Sequence, residues 1–385
     1  MIRPDSSGLE SRGHPAPTNP QSSRPFPCPV LCVSASLRET PFPKGALIAL
    51  IVLLASLNMS MAADQIELHN GKPVLGKIQK ETATEVTIQA TAGTQTIPVN
   101  RIVEIRYEGQ GATMTQAKIL EESYNLPRAA EEFAKAQGDL KDKPLVLQAA
   151  QFGQARVLAK LALDEATGRD EAIARLEKFA RENSASRHHF PLYELLGRLY
   201  FDKDDFGKAA QAFDQLAEAP WPETKLRAAL YHGRLLLAQK KIDQAIARFD
   251  EVLAAAGESP ESALVPAEAL FEKARCLRAR SERAAEIEIL LKTLDQTPAR
   301  AGWLQAEAYI ALGDAYRAVQ KPRDALVAYL HVDLLFAKNK ELHPRALYNL
   351  MQLWSELGQP ERAAAAQSTL KTDYPNTAWT KKIGS

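Results

Sequence analysis

Two stretches of this chain repeat one pattern of small and bulky residues. In "LGDAYRAVQKPRDALVAY" (Leu312 to Tyr329), the residues Leu312, Gly313, Tyr316, Ala325 and Tyr329 fall on Leu196, Gly197, Tyr200, Ala209 and Phe213 of "LGRLYFDKDDFGKAAQAF". Apolar residues in both recur at helical spacing. A glycine inside such a helix costs roughly 1 kcal/mol relative to alanine, so its return at the same place needs a packing reason. Small residues recur at Gly197, Gly233, Gly313, Ala209, Ala245 and Ala325, with Tyr, Phe and Leu at fixed distances from them. Single helices of this length are marginal in water and need neighbours to pack on.

Further copies follow the same rule. One runs through Gly233, Leu236, Ala245 and Phe249, 36 residues after the copy that begins at Leu196. A looser copy uses Ala274, Leu277, Leu290 and Pro298, and another ends the chain with Tyr348, Trp354, Ala363, Leu370 and Pro375. Upstream, Ala117, Leu120, Ala129 and Phe133 form a first copy, and Gly153, Ala172, Leu176 and Phe179 a stretched second, with "DEATGRD" as an enlarged turn. The spacing resembles that of the tetratricopeptide repeat and covers residues 112–380 in about seven copies. The resemblance implies a mainly α fold, a right-handed solenoid of stacked antiparallel helix pairs in which the small residues let the two backbones cross closely and the first helix of each pair lines a concave groove.

Ahead of the repeats, residues 63–110 follow a period of two. Val86, Ile88 and Ala90, then Ile97 and Val99, then Val103, Ile105 and Tyr107 alternate as half-buried strands do. Asn70-Gly71 marks a hairpin, and Ala92-Gly93 a second turn. Five short strands in so few residues predict a small β-barrel, similar in pattern to the SH3-like or Sm-like barrels that precede helical repeats in some exported bacterial proteins. A unit of this size buries little surface alone and is expected to lean on the helices that follow.

Residues 1–44 are rich in Pro and Ser without apolar period, the composition of a segment that does not fold. Residues 45–62 read as a secretory signal peptide. An apolar run from Ala46 to Leu57 follows Lys44, and Ser60 and Ala62 stand where small residues precede a cut before Ala63. The run is short of the roughly 20 residues a membrane-spanning helix needs, so no stable span is expected after cleavage. Either the region before the apolar run is unusually long or translation starts further down. The expected location is the periplasm or the exterior. Cys28 and Cys32 precede the cut, which leaves Cys276 alone on an apolar helical stripe, an inert core thiol with no disulfide or thiolate metal cage open to it. Removing residues 1–62 takes away five of the 48 Lys and Arg and three of the 47 Asp and Glu, leaving 43 against 44. A near-neutral chain has no global field to gather nucleic acid.

The search for chemistry returns turns and caps. "DKDDFGKAAQAF" (Asp202 to Phe213) has Asp202, Asp204 and Gly207 of a calcium loop, but Phe213 stands where a bidentate Glu is needed. His188 and His189 do not share a helix face, and no Glu lies between histidines at zinc-binding spacing. "EGQGATMTQ" (Glu108 to Gln116) lacks the lysine and third glycine of a phosphate loop, and is read as a linker with Thr113 as helix cap. No nucleophile elbow or carboxylate pair is found. The expectation is a protein that is not an enzyme, with no cofactor and no metal.

One pattern remains. In the resemblance, the residue after the glycine position points into the groove, and it is Arg198, Arg234 and Arg275 in three consecutive repeats, with Arg227 and Arg278 nearby. Stacked guanidinium groups form planar sites for carboxylates, so an acidic segment of a protein partner is the expected ligand. The row stops at Asp314, and the asparagines by which some repeats of this kind grip a C-terminal carboxylate are missing. The function expected is that of an exported, non-catalytic scaffold. Two alternatives stand beside it. "KTDYPNTAW" (Lys371 to Trp379) is similar to the repeat ends of periplasmic proteins that help build or divide the outer envelope, which suggests an envelope assembly or cell-division factor. A carbohydrate-binding or enzymatic module in the β unit is the other. Neither the partner nor the oligomeric state is readable.

Overall fold

The computed structural model describes residues 63–257 and 264–383. The extension and signal peptide expected at 1–44 and 45–62, with Cys28 and Cys32, lie outside the described residues. Five antiparallel strands come first: β1 (Asp64–Leu68), β2 (Val74–Glu81), β3 (Glu85–Ala90), β4 (Gly93–Pro98) and β5 (Ile102–Arg106), with a 3-10 turn (Val99–Arg101) before the last. They form one sheet in the order 4-3-2-1-5, and its two outer strands are not hydrogen-bonded to each other. Gly71 and Gly93 turn the first and third hairpins with φ of 121° and 116°, which other residues rarely adopt.

The alternation read from the sequence holds for Val86, Ile88, Ile97, Ile105 and Tyr107, all buried. It fails at Val103, which is exposed, and at Val99, which sits in the 3-10 turn. The reason for Val103 is a bulge. Glu67 pairs with Glu104 and Leu68 with Ile102, so Val103 is an extra residue pushed off the inner face.

Fourteen helices follow in seven consecutive pairs, and a short fifteenth ends the described chain. The first helices are α1 (Gly111–Glu122), α3 (Pro144–Glu165), α5 (His189–Asp202), α7 (Pro222–Ala238), α9 (Leu264–Ala279), α11 (Gly302–Ala318) and α13 (Leu342–Glu356). Their partners are α2 (Leu126–Asp139), α4 (Arg169–Glu182), α6 (Phe206–Ala217), α8 (Ile242–Ala255), α10 (Arg283–Gln296), α12 (Pro322–Leu335) and α14 (Pro360–Asp373), and α15 (Ala378–Lys381) closes the row. This is the α-solenoid that the spacing predicts. Each helix packs on the next in sequence, and most first helices also touch the first helix of the following pair.

The small-residue rule is visible at each crossing. Gly197, Gly233 and Gly313 lie five residues before the end of their helices, as do Ala117 and Ala274. A β-carbon on any of the three glycines would collide with the aromatic ring of its own second helix: Phe213, Phe249 and Tyr329 respectively. Ala209, Ala245 and Ala325 are completely buried across from them. Gly153 departs from the expected register. Its missing β-carbon faces Phe133 of the preceding pair at 2.5 Å, because α3 is longer than the other first helices and crosses α2 before it meets α4. Thr113 is not the cap of α1 either; Gln110 precedes the helix, and the chain enters it through Gly109 and Gly111, both at positive φ.

The apolar interior is divided. Among the described residues five separate clusters follow one another along the row. The first in space joins Ile66, Val86, Ile88 and Ile105 of the sheet to Met114, Phe133 and Val146 of the first two helix pairs, so the sheet and solenoid share a core. Polar joints add to it. The Tyr107 hydroxyl donates to Glu81 at 2.7 Å, Arg187 pairs with the same carboxylate at 3.2 Å, and Asn100 donates to Glu223 at the start of α7.

Candidate functional site

The first helices α3, α5, α7, α9 and α11 line one cavity of about 1020 Å³. Nearly all its lining comes from these helices, with Phe213 the contribution of a second helix. All five arginines singled out in the sequence, Arg198, Arg227, Arg234, Arg275 and Arg278, are among the lining residues. The helical spacing explains this. Arg198, Arg234 and Arg275 each follow the small residue that faces the second helix, which turns their side chains toward the opposite side.

The cavity is not a positive surface, and here the structure adds what the arginine row concealed. Glu194, Glu268, Glu272 and Glu307 line the same space, together with Asp164 and Asp202. Arg234 donates to Glu272 at 2.9 Å and to Glu268 at 2.8 Å, reaching from α7 to α9. Arg275 donates to the second oxygen of Glu272 at 2.8 Å. Arg227 pairs with Glu194 at 3.4 Å, an oxygen that also accepts the Tyr231 hydroxyl at 2.8 Å. Arg278 donates to Glu286 at 2.7 Å and to the carbonyl of Ala311 at 3.2 Å. Three of the five guanidinium groups, those of Arg227, Arg234 and Arg278, therefore hold neighbouring helices together, while Arg275 pairs within α9 and fixes the shared Glu272.

Burial sets the strength of these joints. Glu272 is 3% exposed and Glu286 1%. A carboxylate so placed needs a partner to stay ionised, and Glu286 has two, Arg278 and Arg283. Burial alone would weaken the charge on Arg234, but Glu272 and Glu268 more than offset it and raise its pKa. The guanidinium also lies over the Tyr231 ring, 5.4 Å from the centroid. Arg198 differs from the other four. It is exposed, and among the described residues no carboxylate lies within ion-pair distance of it.

Apolar residues complete the lining. Leu237, Leu264 and Phe271 face the same space, as does Trp303, 47% exposed. This pairing of a half-exposed indole with fixed charges suits recognition of a polypeptide more than of a small solute.

The other residues weighed in the sequence have structural positions. Asp202 pairs with Arg169 at 3.2 Å, and Asp205 caps α6 by accepting the amide of Lys208. His188 is buried with its ring stacked on Phe152, centroids 4.1 Å apart. Cys276 is fully buried, and its thiol is pushed up to about 11 mainly by that burial. No group of metal-ligating side chains is present among the described residues. No helix among them is long and apolar enough to cross a membrane.

Comparison with solved structures places the fold. The apo form of RapI superposes with a TM-score of 0.51 at 14% identity, over 70% of this chain and 79% of that one. The chain has a tetratricopeptide-like solenoid fold. The apo form of the quorum sensor NprR from B. thuringiensis gives 0.51 at 13% identity over 67% of this chain and 74% of that one. A tetratricopeptide repeat protein from Parabacteroides merdae gives 0.46 at 16% identity over 70% and 95%. No protein-family model and no curated protein sequence matches the chain.

Proposed function

We propose that this protein is an exported, non-catalytic scaffold that binds an extended or helical segment of a protein partner along the groove of its solenoid. The observation that carries this reading is the single cavity shared by five successive first helices, with fixed charges and an exposed tryptophan on its wall. The fold shared with RapI and NprR is one in which stacked helix pairs present a continuous surface. Export rests on the apolar run from Ala46 to Leu57 and the small residues before Ala63. Within this reading Arg198, Arg234, Arg275, Arg227 and Arg278 belong to the binding wall, and the four paired ones act by holding its shape.

Photocrosslinking tests the groove. A photoreactive residue at Leu237, inside the groove, should trap a partner in cells, while one at Lys292, exposed on α10, should not. Trapping at Lys292 alone would overturn the reading. Export is tested separately by sequencing the amino terminus of the mature protein, expected at Ala63.

An envelope assembly or cell-division role is a narrower form of the same reading, and "KTDYPNTAW" is its support. In the fold this stretch closes the last helix pair. Tyr374 bonds to His343 at 2.7 Å, and Trp379 packs on Tyr348 with centroids 5.4 Å apart. A catalytic or carbohydrate-binding role for the sheet has less support, because its inward carboxylates serve as joints. Asp64 accepts two backbone amides at 2.7 Å, and Glu81 is held by Tyr107 and Arg187.

A further inference from the structure

Most of the charges that line the groove cancel in pairs, and two of those left over, Arg198 and Glu307, stand three first helices apart. Arg227, Arg234, Arg275 and Arg278 are each engaged by a carboxylate of the chain. Arg198, on α5, is exposed and has none within 4 Å among the described residues. Its acidic neighbours on the wall are already occupied: Asp164 by the Tyr124 hydroxyl at 2.6 Å, Asp202 by Arg169, Glu194 by Arg227 and Tyr231. Three first helices further on, Glu307 on α11 is half-buried on the same wall and has no cation within ion-pair distance among the described residues. Burial first, and then the Glu272 carboxylate, raise its pKa, the mark of an acid group short of a partner. Between the two ends the wall carries Leu237, Leu264, Phe271 and Trp303.

We infer that the groove reads polarity. It takes an extended protein segment that presents an acidic group to Arg198 and a basic group to Glu307, with apolar residues between. This deepens the scaffold reading and rests on it. Packed helices lie about 8–10 Å apart, so the three steps from α5 through α7 and α9 to α11 span roughly 25–30 Å. An extended chain covers that in about eight residues at roughly 3.3 Å each. A segment laid in reverse would set like charges against each other at both ends, which costs binding at each. A uniformly acidic segment would gain at Arg198 and lose at Glu307, so the acidic partner expected from the arginine row alone is the poorer match.

The test is selection of a random dodecamer display library on the full chain. Sequences enriched on the wild type should carry Asp or Glu and Lys or Arg about eight positions apart, in one order. On Arg198→Glu the acidic position should turn basic, and on Glu307→Lys the basic position should turn acidic. Neither residue holds an internal ion pair, so both variants should keep the wild-type circular dichroism. The milder Arg198→Gln and Glu307→Gln should each weaken a selected peptide roughly tenfold by fluorescence anisotropy. Enriched sequences with no charge order, or an order that ignores both substitutions, would overturn the inference and leave groove binding standing. Failure to enrich any sequence that a groove variant abolishes would overturn both.

Discussion

Tyr329 lies flat against the bare backbone of Gly313, with Cε1 and Cζ of its ring each 2.6 Å from where a β-carbon would stand, and its hydroxyl donates to the neighbouring Asp314 at 2.7 Å. The glycine is thus part of the ring's seat, and the residue beside it holds the ring's far end.

Gly313→Ala should therefore destabilise the protein by about 1–3 kcal/mol through overpacking, although alanine is the better helix former. Gly138, near the end of α2, has open space around its α-carbon. Gly138→Ala should stabilise by up to about 1 kcal/mol. Thermal melts of the two variants should move in opposite directions.

Glu272 ties Arg234 of one repeat to Arg275 of the next turn of its own helix. Glu272→Ala leaves a buried space and two guanidinium groups short of a carboxylate, and should cost about 3 kcal/mol. Restoring apolar contact on both sides, with Glu272→Met and Arg234→Met together, should recover much of that loss. Urea denaturation of the single and double variants checks it.

Acid should weaken the packing where the chain enters α5. His188 is buried, and burial first, then Arg187, Arg156 and Lys118, hold its pKa well below the ordinary 6.5. A histidine so depressed is neutral in the folded chain, while the unfolded chain takes up a proton below about pH 6.5. Its contribution is fully present above that pH and is lost as pH falls toward the folded value. Urea midpoints should fall between pH 7.5 and 5, and His188→Phe, which keeps the stack on Phe152, should flatten that slope.

The turns inside the pairs hold a reserve of stability. Tyr124, Asp204, Lys240, Ser281 and Gln320 all have φ between 57° and 62°, and the seventh pair has Gly358 at 70° in the same place. The left-handed conformation costs a non-glycine residue about 1–2 kcal/mol, part of which glycine's own flexibility cancels. Lys240→Gly and Gln320→Gly should each raise stability by up to about 1 kcal/mol in a thermal melt.

The repeats were legible because a small residue and a ring recur at one spacing, as at Gly197 with Phe213 and Gly233 with Phe249. Gly153 misled because its ring belongs to the pair before it, a contact set by the length of α3. Arg198, Arg234 and Arg275 were legible as a row, but their neutralisation was not. Arg234 and Glu272 lie 38 residues apart, Arg227 and Glu194 33. Opposite charges about one repeat apart would have been the signal, and a search for small residues passes over them. Arg187 beside Tyr107 spans 80 residues and depends on where the sheet docks, which no local pattern states.

An interior divided into successive clusters gives the molecule a direction. The first cluster is roofed by the isoleucines of the sheet, whereas the last is closed by Trp379 and a single turn of helix. Heat or pulling should accordingly peel the chain from its carboxyl end, one layer after another, and a partner lying across α5 to α11 would act as a splint over the middle layers.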